Sequence, residues 1–307
     1  VRRASLFRSA PVVAASAASA ALAVYALAVE PYWLQITRVT LRPPRLPAAL
    51  DGISILLLAD LHMAQWGRRE RLLAGLLDAL PVPDMAVLAG DLLQGANGLV
   101  PTAELIERHV RARAGVFATW GNAEHKPNRA ARDCFRARLE AAGVRVLVNE
   151  NRLLTLRGES VTVAGVDDPY YGCADLPAAL ARRDPNRFCL LVAHSPQLVL
   201  QAARTGNVDV MLSGHTHGGQ VRLPFVGALK TQNPLSRKID EGVFDRARLQ
   251  AILGDRYPAG CEMLLYVTRG IGTARFKMLP LYPRFMCRPE VTWITLRSPS
   301  KPFGPRD

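Results

Sequence analysis

The sequence predicts a layered α/β fold preceded by one apolar helix, and three observations carry that prediction. Short apolar runs recur along the chain, and each ends in a polar or glycine-rich cluster. The run 53–59 leads into Asp60-Leu61-His62, 85–89 into Gly90-Asp91, 116–120 into Gly121-Asn122, 188–193 into His194, and 208–212 into Gly214-His215-Thr216-His217-Gly218-Gly219. Runs of this length with such boundaries read as buried strands. Stretches of helical character alternate with them, the pattern of a sheet covered by helices. Ahead of all this, residues 10–29 form an almost uninterrupted stretch of small and apolar residues, about the length of a membrane-crossing helix.

Taken in order, residues 1–9 are a basic segment carrying Arg2, Arg3 and Arg8, and 10–29 is the apolar span. We read the span as a retained single-pass anchor in the inner membrane, because Pro31-Tyr32-Trp33-Leu34 follows it as an interfacial aromatic belt would. A signal sequence cleaved at Ala26-Leu27-Ala28 is the other reading. Arg38, Arg42 and Arg45 offset the basic N-terminus, so the side of the membrane stays open. Residues 30–50 are a Pro- and Arg-punctuated connector with an edge strand at 36–41. Residues 51–297 are expected to form one folded domain, with helices at 69–80, 103–113 and 130–142, the last stopped by Gly143. Strands at 144–148, 153–156 and 160–166 are expected to supply the second sheet. Helices at 176–183 and 197–204 and strands at 266–270 and 291–296 complete the domain, and 298–307 is a loose tail.

Ligands gather at the carboxyl ends of strands in layered α/β proteins. Asp60, His62, Asp91, Asn122, His194, His215 and His217 all stand at such ends. On a strand, residues two apart face the same side, so Asp60 and His62 are expected to face one ion, and His215 and His217 to repeat the arrangement. Seven ligands without a thiolate exceed one tetrahedral zinc and suit a pair of divalent ions. Such a pair, about 3.5–4 Å apart, clamps a phosphate and activates a water. Asp91 is the expected bridging carboxylate, because an anionic oxygen can serve both ions. Any single histidine is more simply a satisfied core residue. It is their joint placement at strand ends that points to metal.

These motifs, Asp60-x-His62, Gly90-Asp91, Gly121-Asn122, His194 and Gly214-His215-x-His217, resemble the signature of the calcineurin-like metallophosphoesterases over about 51–296. The resemblance implies a four-layer α-β-β-α sandwich of two mixed sheets with two metals at one sheet edge. It implies a first metal on Asp60, His62 and His217, a second on Asn122, His194 and His215, and Asp91 between them. The family usually continues the Asn motif as Gly-Asn-His-Asp/Glu. Here Ala123 stands in place of that histidine, and His125 follows two residues on. Two readings stay open: His125 protonates the leaving oxygen or steadies the transition state, or it is a surface residue. The span, the Val-Asp-Asp-Pro stretch and the Gly-His-Thr-His-Gly-Gly-Gln form resemble a bacterial branch containing membrane-associated phosphodiesterases and a UDP-diacylglucosamine pyrophosphatase. That implies hydrolysis of a phosphodiester or pyrophosphate bond in a lipid-linked or nucleotide-linked substrate. The alternatives are a periplasm-facing phosphodiesterase or phosphatase, and a catalytically impaired metal-binding module on the membrane surface, suggested by Ala123.

The remaining features bound the chemistry. No G-x-S-x-G, H-E-x-x-H or Walker motif is present, which removes support for serine hydrolases, zincins and nucleotide-driven motors. With 39 Lys plus Arg against 26 Asp plus Glu, the net charge of +13 favours phosphorylated substrates or an acidic lipid surface. No nucleic-acid motif accompanies the charge, so no nucleic-acid partner is expected, and nothing indicates a protein partner. Five scattered cysteines without a C-x-x-C pair read as mostly buried free thiols. Trp66, Arg68 and Arg69, just past the first motif, are expected to overhang the site and touch substrate. Residues 276–286 mix apolar, aromatic and basic side chains and read as an ordinary packed connection between strands, with a loop dipping into a membrane interface as the alternative. Asp167 and Asp168 precede Pro169 and read as turn residues, and His109 as exposed. Mixed nitrogen and oxygen ligands accept Mn, Fe, Zn or similar ions.

Overall fold

A computed structural model describes residues 2–274 and 281–299, with side chains from residue 12 onward. The helices are α1 (Arg2–Val24), α2 (Arg68–Ala79), α3 (Leu99–His109), α4 (Arg129–Ala141), α5 (Leu176–Ala179), α6 (Val199–Arg204) and α7 (Arg246–Leu253). The strands are β1 (Gln35–Leu41), β2 (Ser54–Leu58), β3 (Met85–Ala89), β4 (Val116–Thr119), β5 (Val144–Val146), β6 (Glu150–Leu156), β7 (Glu159–Val166), β8 (Cys189–Ala193), β9 (Val210–Ser213), β10 (Arg222–Leu223), β11 (Gly227–Ala228), β12 (Gly242–Phe244), β13 (Leu264–Val267) and β14 (Glu290–Leu296).

Two six-stranded mixed sheets form, in the orders β1-β14-β2-β3-β4-β5 and β12-β13-β9-β8-β7-β6. Strand alternation sorts the core into three layers of contact. Ile55 and Leu57 of β2, Val87 of β3, Leu190 and Val192 of β8 and Leu212 of β9 meet between the sheets. Leu56 and Leu58 turn the other way, onto Leu73 and Leu77 of α2 and Leu105 and Ile106 of α3. Cys189, Leu191 and Met211 pack in the same manner toward α6 and α7. The result is the expected four-layer sandwich, because strands apolar on both faces must be covered on both. The helices carry local signals that agree. The Glu70 carboxylate accepts the Gly67 N–H (3.0 Å) at the start of α2, and Asn128 caps α4 by accepting from the Ala131 N–H (2.9 Å).

One strand departs from expectation. Residues 144–146 join the first sheet rather than the second, pairing parallel with β4 in the register Val116–Val144. The chain leaves β4, crosses over in α4 and returns beside the strand it left, as a short β-α-β unit does. The second sheet therefore begins at β6. Helix α7, strand β12 and the hairpin β10–β11 carry no period long enough to announce themselves in the sequence. All five cysteines are free, but only Cys189 and Cys287 are buried. The composition had suggested more.

Residues 12–32 are long and apolar enough to cross a membrane, by length and composition. The end of this span is built into the domain. After α1 the chain makes one π-turn at Tyr25–Val29 and a 3₁₀ turn at Glu30–Tyr32. Glu30 is fully buried, and its carboxylate accepts the backbone N–H groups of Met286 (2.9 Å) and Cys287. The Arg284 N–H donates to the Ala26 carbonyl (2.9 Å), and Tyr25 meets Phe285 edge-on at 6.3 Å. Residues 35–41, inside the connector, pair with β14 as the edge strand of the first sheet.

Candidate metal centre

The loops that follow β2, β3, β4, β8 and β9 converge at one end of the two sheets. Their backbones are not simple continuations of the strands. β2 stops at Leu58 and β9 at Ser213, so the paired candidate ligands lie beyond the pleat. Asp60, His62, Asp91, His215 and His217 have φ of 53°, 43°, 51°, 70° and 51°. Left-handed backbone costs about 1–2 kcal/mol for each residue with a Cβ. Side-chain direction here is therefore set by five αL residues, not by strand alternation. Hydrogen bonds between loops hold the strained residues: the Asp60 N–H donates to Gly90 O (2.9 Å) and the His62 N–H to Asp91 O (3.0 Å). Glycines permit the approach, since a Cβ on Gly121 would strike the Asp91 carboxylate and one on Gly214 the Asp60 carboxylate.

The side chains form two adjoining nests. In the first, the Nε2 atoms of His62 and His217 stand 3.3 Å apart. Asp91 Oδ2 lies 3.4 Å from His62 Nε2, and Asp60 Oδ1 lies 3.5 Å from His217 Nε2. In the second, His194 Nε2 lies 3.4 Å from Asp91 Oδ1 and 3.1 Å from His215 Nδ1. Asp91 thus turns one oxygen toward each nest. Asn122 is half-buried at the head of the loop that closes the second. Asp60, His62 and His217 have ligand atoms close enough to share an ion, and so do Asp60, Asp91 and His194.

The proton positions fit cations. The Nδ1 of His194 donates to the Ala89 carbonyl (2.8 Å), which fixes the ring and leaves Nε2 facing the centre. Burial lowers His62 to about 4, His215 to about 3 and His217 well below its ordinary value, so these rings stay neutral. Burial raises Asp60 to about 7. His194 is pushed down by burial, but the Asp91 and Asp60 carboxylates carry it up to about 10. Asp91 is held well below the usual carboxylate range, chiefly by His194 against the effect of burial. Neutral imidazole nitrogens and carboxylate oxygens without thiolates are a donor set for divalent cations.

One organising residue was not visible as such in the sequence. Glu124, fully buried, accepts the backbone N–H groups of Asp91 (2.9 Å), Leu92 (2.7 Å), Leu93 (3.3 Å) and Gly121 (2.7 Å). It clamps the Asp91 loop to the Asn122 loop. The only hint was an acidic residue inside the ligand motif. Ala123, also buried, donates its N–H to Asp91 Oδ1 (2.6 Å).

The other expected site residues fall at the rim. His125 is held from both sides. Arg132 donates to Nδ1 (3.0 Å), so Nε2 carries the proton and donates to Asp167 Oδ1 (2.7 Å). Asp168, next in sequence, accepts the Tyr170 N–H as a turn residue does (3.0 Å), while its fully buried Oδ1 has no hydrogen-bond partner among the described residues. A cavity of about 390 Å³ opens beside His62, and Arg68 and Arg69 line it. Trp66 does not. Its indole N–H donates to Glu104 (3.2 Å) and its ring packs on His109, which is half-buried and paired with Asp78 (2.9 Å). Residues 276–280 of the segment read as a packed connection or a membrane-dipping loop lie outside the described residues, as does the tail from 300.

Residues 53–219 match the calcineurin-like phosphoesterase family. The uncharacterized metallophosphoesterase YkuE of Bacillus subtilis is 30% identical over 278 residues, 89% of this chain and 89% of that protein. The phosphodiesterase YaeI of Escherichia coli is 29% identical over 286 residues, covering 87% of this chain and 90% of its own. A transmembrane protein with metallophosphoesterase domain from Bos taurus is 29% identical over 202 residues, 61% of this chain and 45% of that one.

Proposed function

Because the chain belongs to the calcineurin-like phosphoesterase family and is a metal-dependent phosphohydrolase, we propose that it cleaves a phosphodiester or pyrophosphate bond in a lipid-linked or nucleotide-linked substrate such as UDP-diacylglucosamine. The observation that carries the reading is Asp91, one buried carboxylate with an oxygen 3.4 Å from a histidine nitrogen of each nest. Asp60, His62 and His217 would hold one divalent ion and Asn122, His194 and His215 the other, with Asp91 shared. Bound there, two such ions supply Lewis acidity toward a phosphoryl oxygen and lower the pKa of water.

The chain's own residues do the rest. His194, tied to Ala89, presents Nε2 to the centre without reorienting. Glu124 holds Asp91 and Gly121 in register, so the nests keep their spacing through the reaction. Arg68 and Arg69 offer cationic donors to the substrate phosphate in the cavity beside His62. The Nε2 proton of His125 serves a poor leaving group if it exchanges its Asp167 acceptor for the leaving oxygen. In this reading residues 10–29 anchor the enzyme in the inner membrane and 51–297 are the catalytic unit. The span and the net charge of +13 support a substrate at a lipid surface.

The test is to incubate detergent-solubilised full-length protein with UDP-diacylglucosamine and Mn²⁺ and to follow UMP by mass spectrometry, with Asp91→Asn alongside. Asp91-dependent UMP release establishes the lipid-nucleotide reading and a cytoplasmic active site. Turnover of bis(4-nitrophenyl) phosphate without UMP release moves the substrate to other phosphodiesters. Equal rates in parent and Asp91→Asn overturn the mechanism.

A further inference from the structure

The end of the apolar span, the cavity and a small hairpin form one continuous face. The cavity that His62 lines is walled on another side by Leu27, Pro31 and Tyr32, from the span itself, and by Leu281 and Tyr282. A metal ligand and a membrane-helix residue thus border the same space. The segment 281–286 continues outward: Leu281, Tyr282 and Met286 are 40%, 44% and 51% exposed.

Hairpin β10–β11 stands beside it. Val221 bridges Phe285, and the Arg222 N–H donates to the Phe285 carbonyl (2.9 Å). Phe285 in turn meets Tyr25 of the span. The hairpin tip is Leu223-Pro224-Phe225-Val226. Phe225 is fully exposed, and Leu223 and Val226 are 40% and 50% exposed. The φ of Phe225 is 63°, a left-handed conformation that is strained for an aromatic residue and that here leaves the ring in the open. Single exposed apolar side chains need no explanation. Two adjoining apolar segments next to a bilayer-length helix do.

Cations fringe the same face. Arg288 lies over the Trp33 ring at 3.6 Å, and Arg68 lies over the Tyr32 ring at 5.1 Å with no carboxylate within ion-pair distance among the described residues. Aromatic rings capped by arginines belong at the headgroup level, between hydrocarbon and water.

We propose that the hairpin tip 223–226 and the segment 281–286 lie in the bilayer interface beside the span, so that the cavity next to His62 takes a phosphorylated amphiphile directly from the lipid surface. Glu30 and Arg284 make this possible by fixing the span to the domain. The anchor is then one wall of the substrate site, not a loose tether. The substrate part of this inference rests on the phosphohydrolase reading. The seating of the hairpin does not.

Two measurements on the full-length protein in phosphatidylcholine–phosphatidylglycerol vesicles separate the parts. In the first, Phe225→Trp is compared with the parent protein in vesicles containing brominated phosphatidylcholine. The added fluorescence is expected to be quenched, and an unquenched increment overturns the seating. In the second, Phe225→Asp is assayed on vesicle-borne UDP-diacylglucosamine and on water-soluble bis(4-nitrophenyl) phosphate. Loss of one interfacial phenyl group is expected to lower kcat/KM on the vesicle-borne substrate about tenfold and leave the soluble substrate unchanged. Equal effects on both substrates, or self-association through this hairpin in place of quenching, overturn the proposal. If neither substrate is hydrolysed by the parent, the phosphohydrolase reading fails while the quenching result still decides the seating.

Discussion

In the interior of the site, Asp60, Asp91, Glu124 and four histidines are buried. At its mouth, Leu223, Phe225, Val226, Leu281 and Met286 are exposed. The two regions break the usual sorting of side chains in opposite directions, and each exception names its partner. Buried carboxylates gathered with imidazole nitrogens and no thiolate are a donor set suited to divalent cations. Exposed apolar groups beside a helix of bilayer length support the proposed seat at a lipid surface. The interior is also strained, with five left-handed residues of the candidate site held by a dense backbone network, whereas the mouth is joined to the span through Glu30 and Arg284 and to the hairpin through Phe285.

If that contrast is right, interior substitutions must act on every substrate alike and rim substitutions must discriminate between them. Asp91→Asn is expected to have the largest effect, lowering kcat/KM by about 10²–10³-fold or more on soluble and lipid substrates equally. An effect confined to lipid substrate would break the comparison. Glu124→Gln places an amide N–H₂ against backbone donors now bound to a carboxylate. It is expected to weaken Mn²⁺ binding about 10–100-fold in a calorimetric titration, with activity recovering at high Mn²⁺. His125→Ala sharpens the boundary between the regions. A rate loss of about 10²-fold on an alkyl phosphodiester, with little change on bis(4-nitrophenyl) phosphate, marks it as the proton donor. Equal rates on both remove it from the mechanism. The smallest effect is expected for Trp66→Phe, whose indole faces Glu104 and not the cavity. Steady-state kcat and KM should stay within about twofold of the parent, as for substitutions away from the reacting groups.

The residue types at the site were legible in the sequence because strand ends are local signals. A short apolar run followed by Asp60-x-His62 or Gly214-His215-x-His217 needs no tertiary knowledge to be noticed. Why those pairs face inward was not legible. The strand period suggests one reason, and the left-handed backbone at Asp60, His62, His215 and His217 supplies another. Glu124 escaped notice for a related reason: its worth lies in N–H groups of Asp91, Leu92 and Leu93, about 30 residues earlier in the chain, which a loop closure brings to it.

By itself, then, the sequence determined the alternation of strands and helices, the apolar span and the seven polar residues that stand at strand ends. Each of these is written in spacings of a few residues. The tertiary structure alone decided that residues 144–146 return to the first sheet, that Trp66 turns away, and that Glu30 docks on Met286 and Cys287, more than 250 positions along the chain. Those outcomes depend on which surfaces meet once the layers have packed, and no local period encodes a partner that distant.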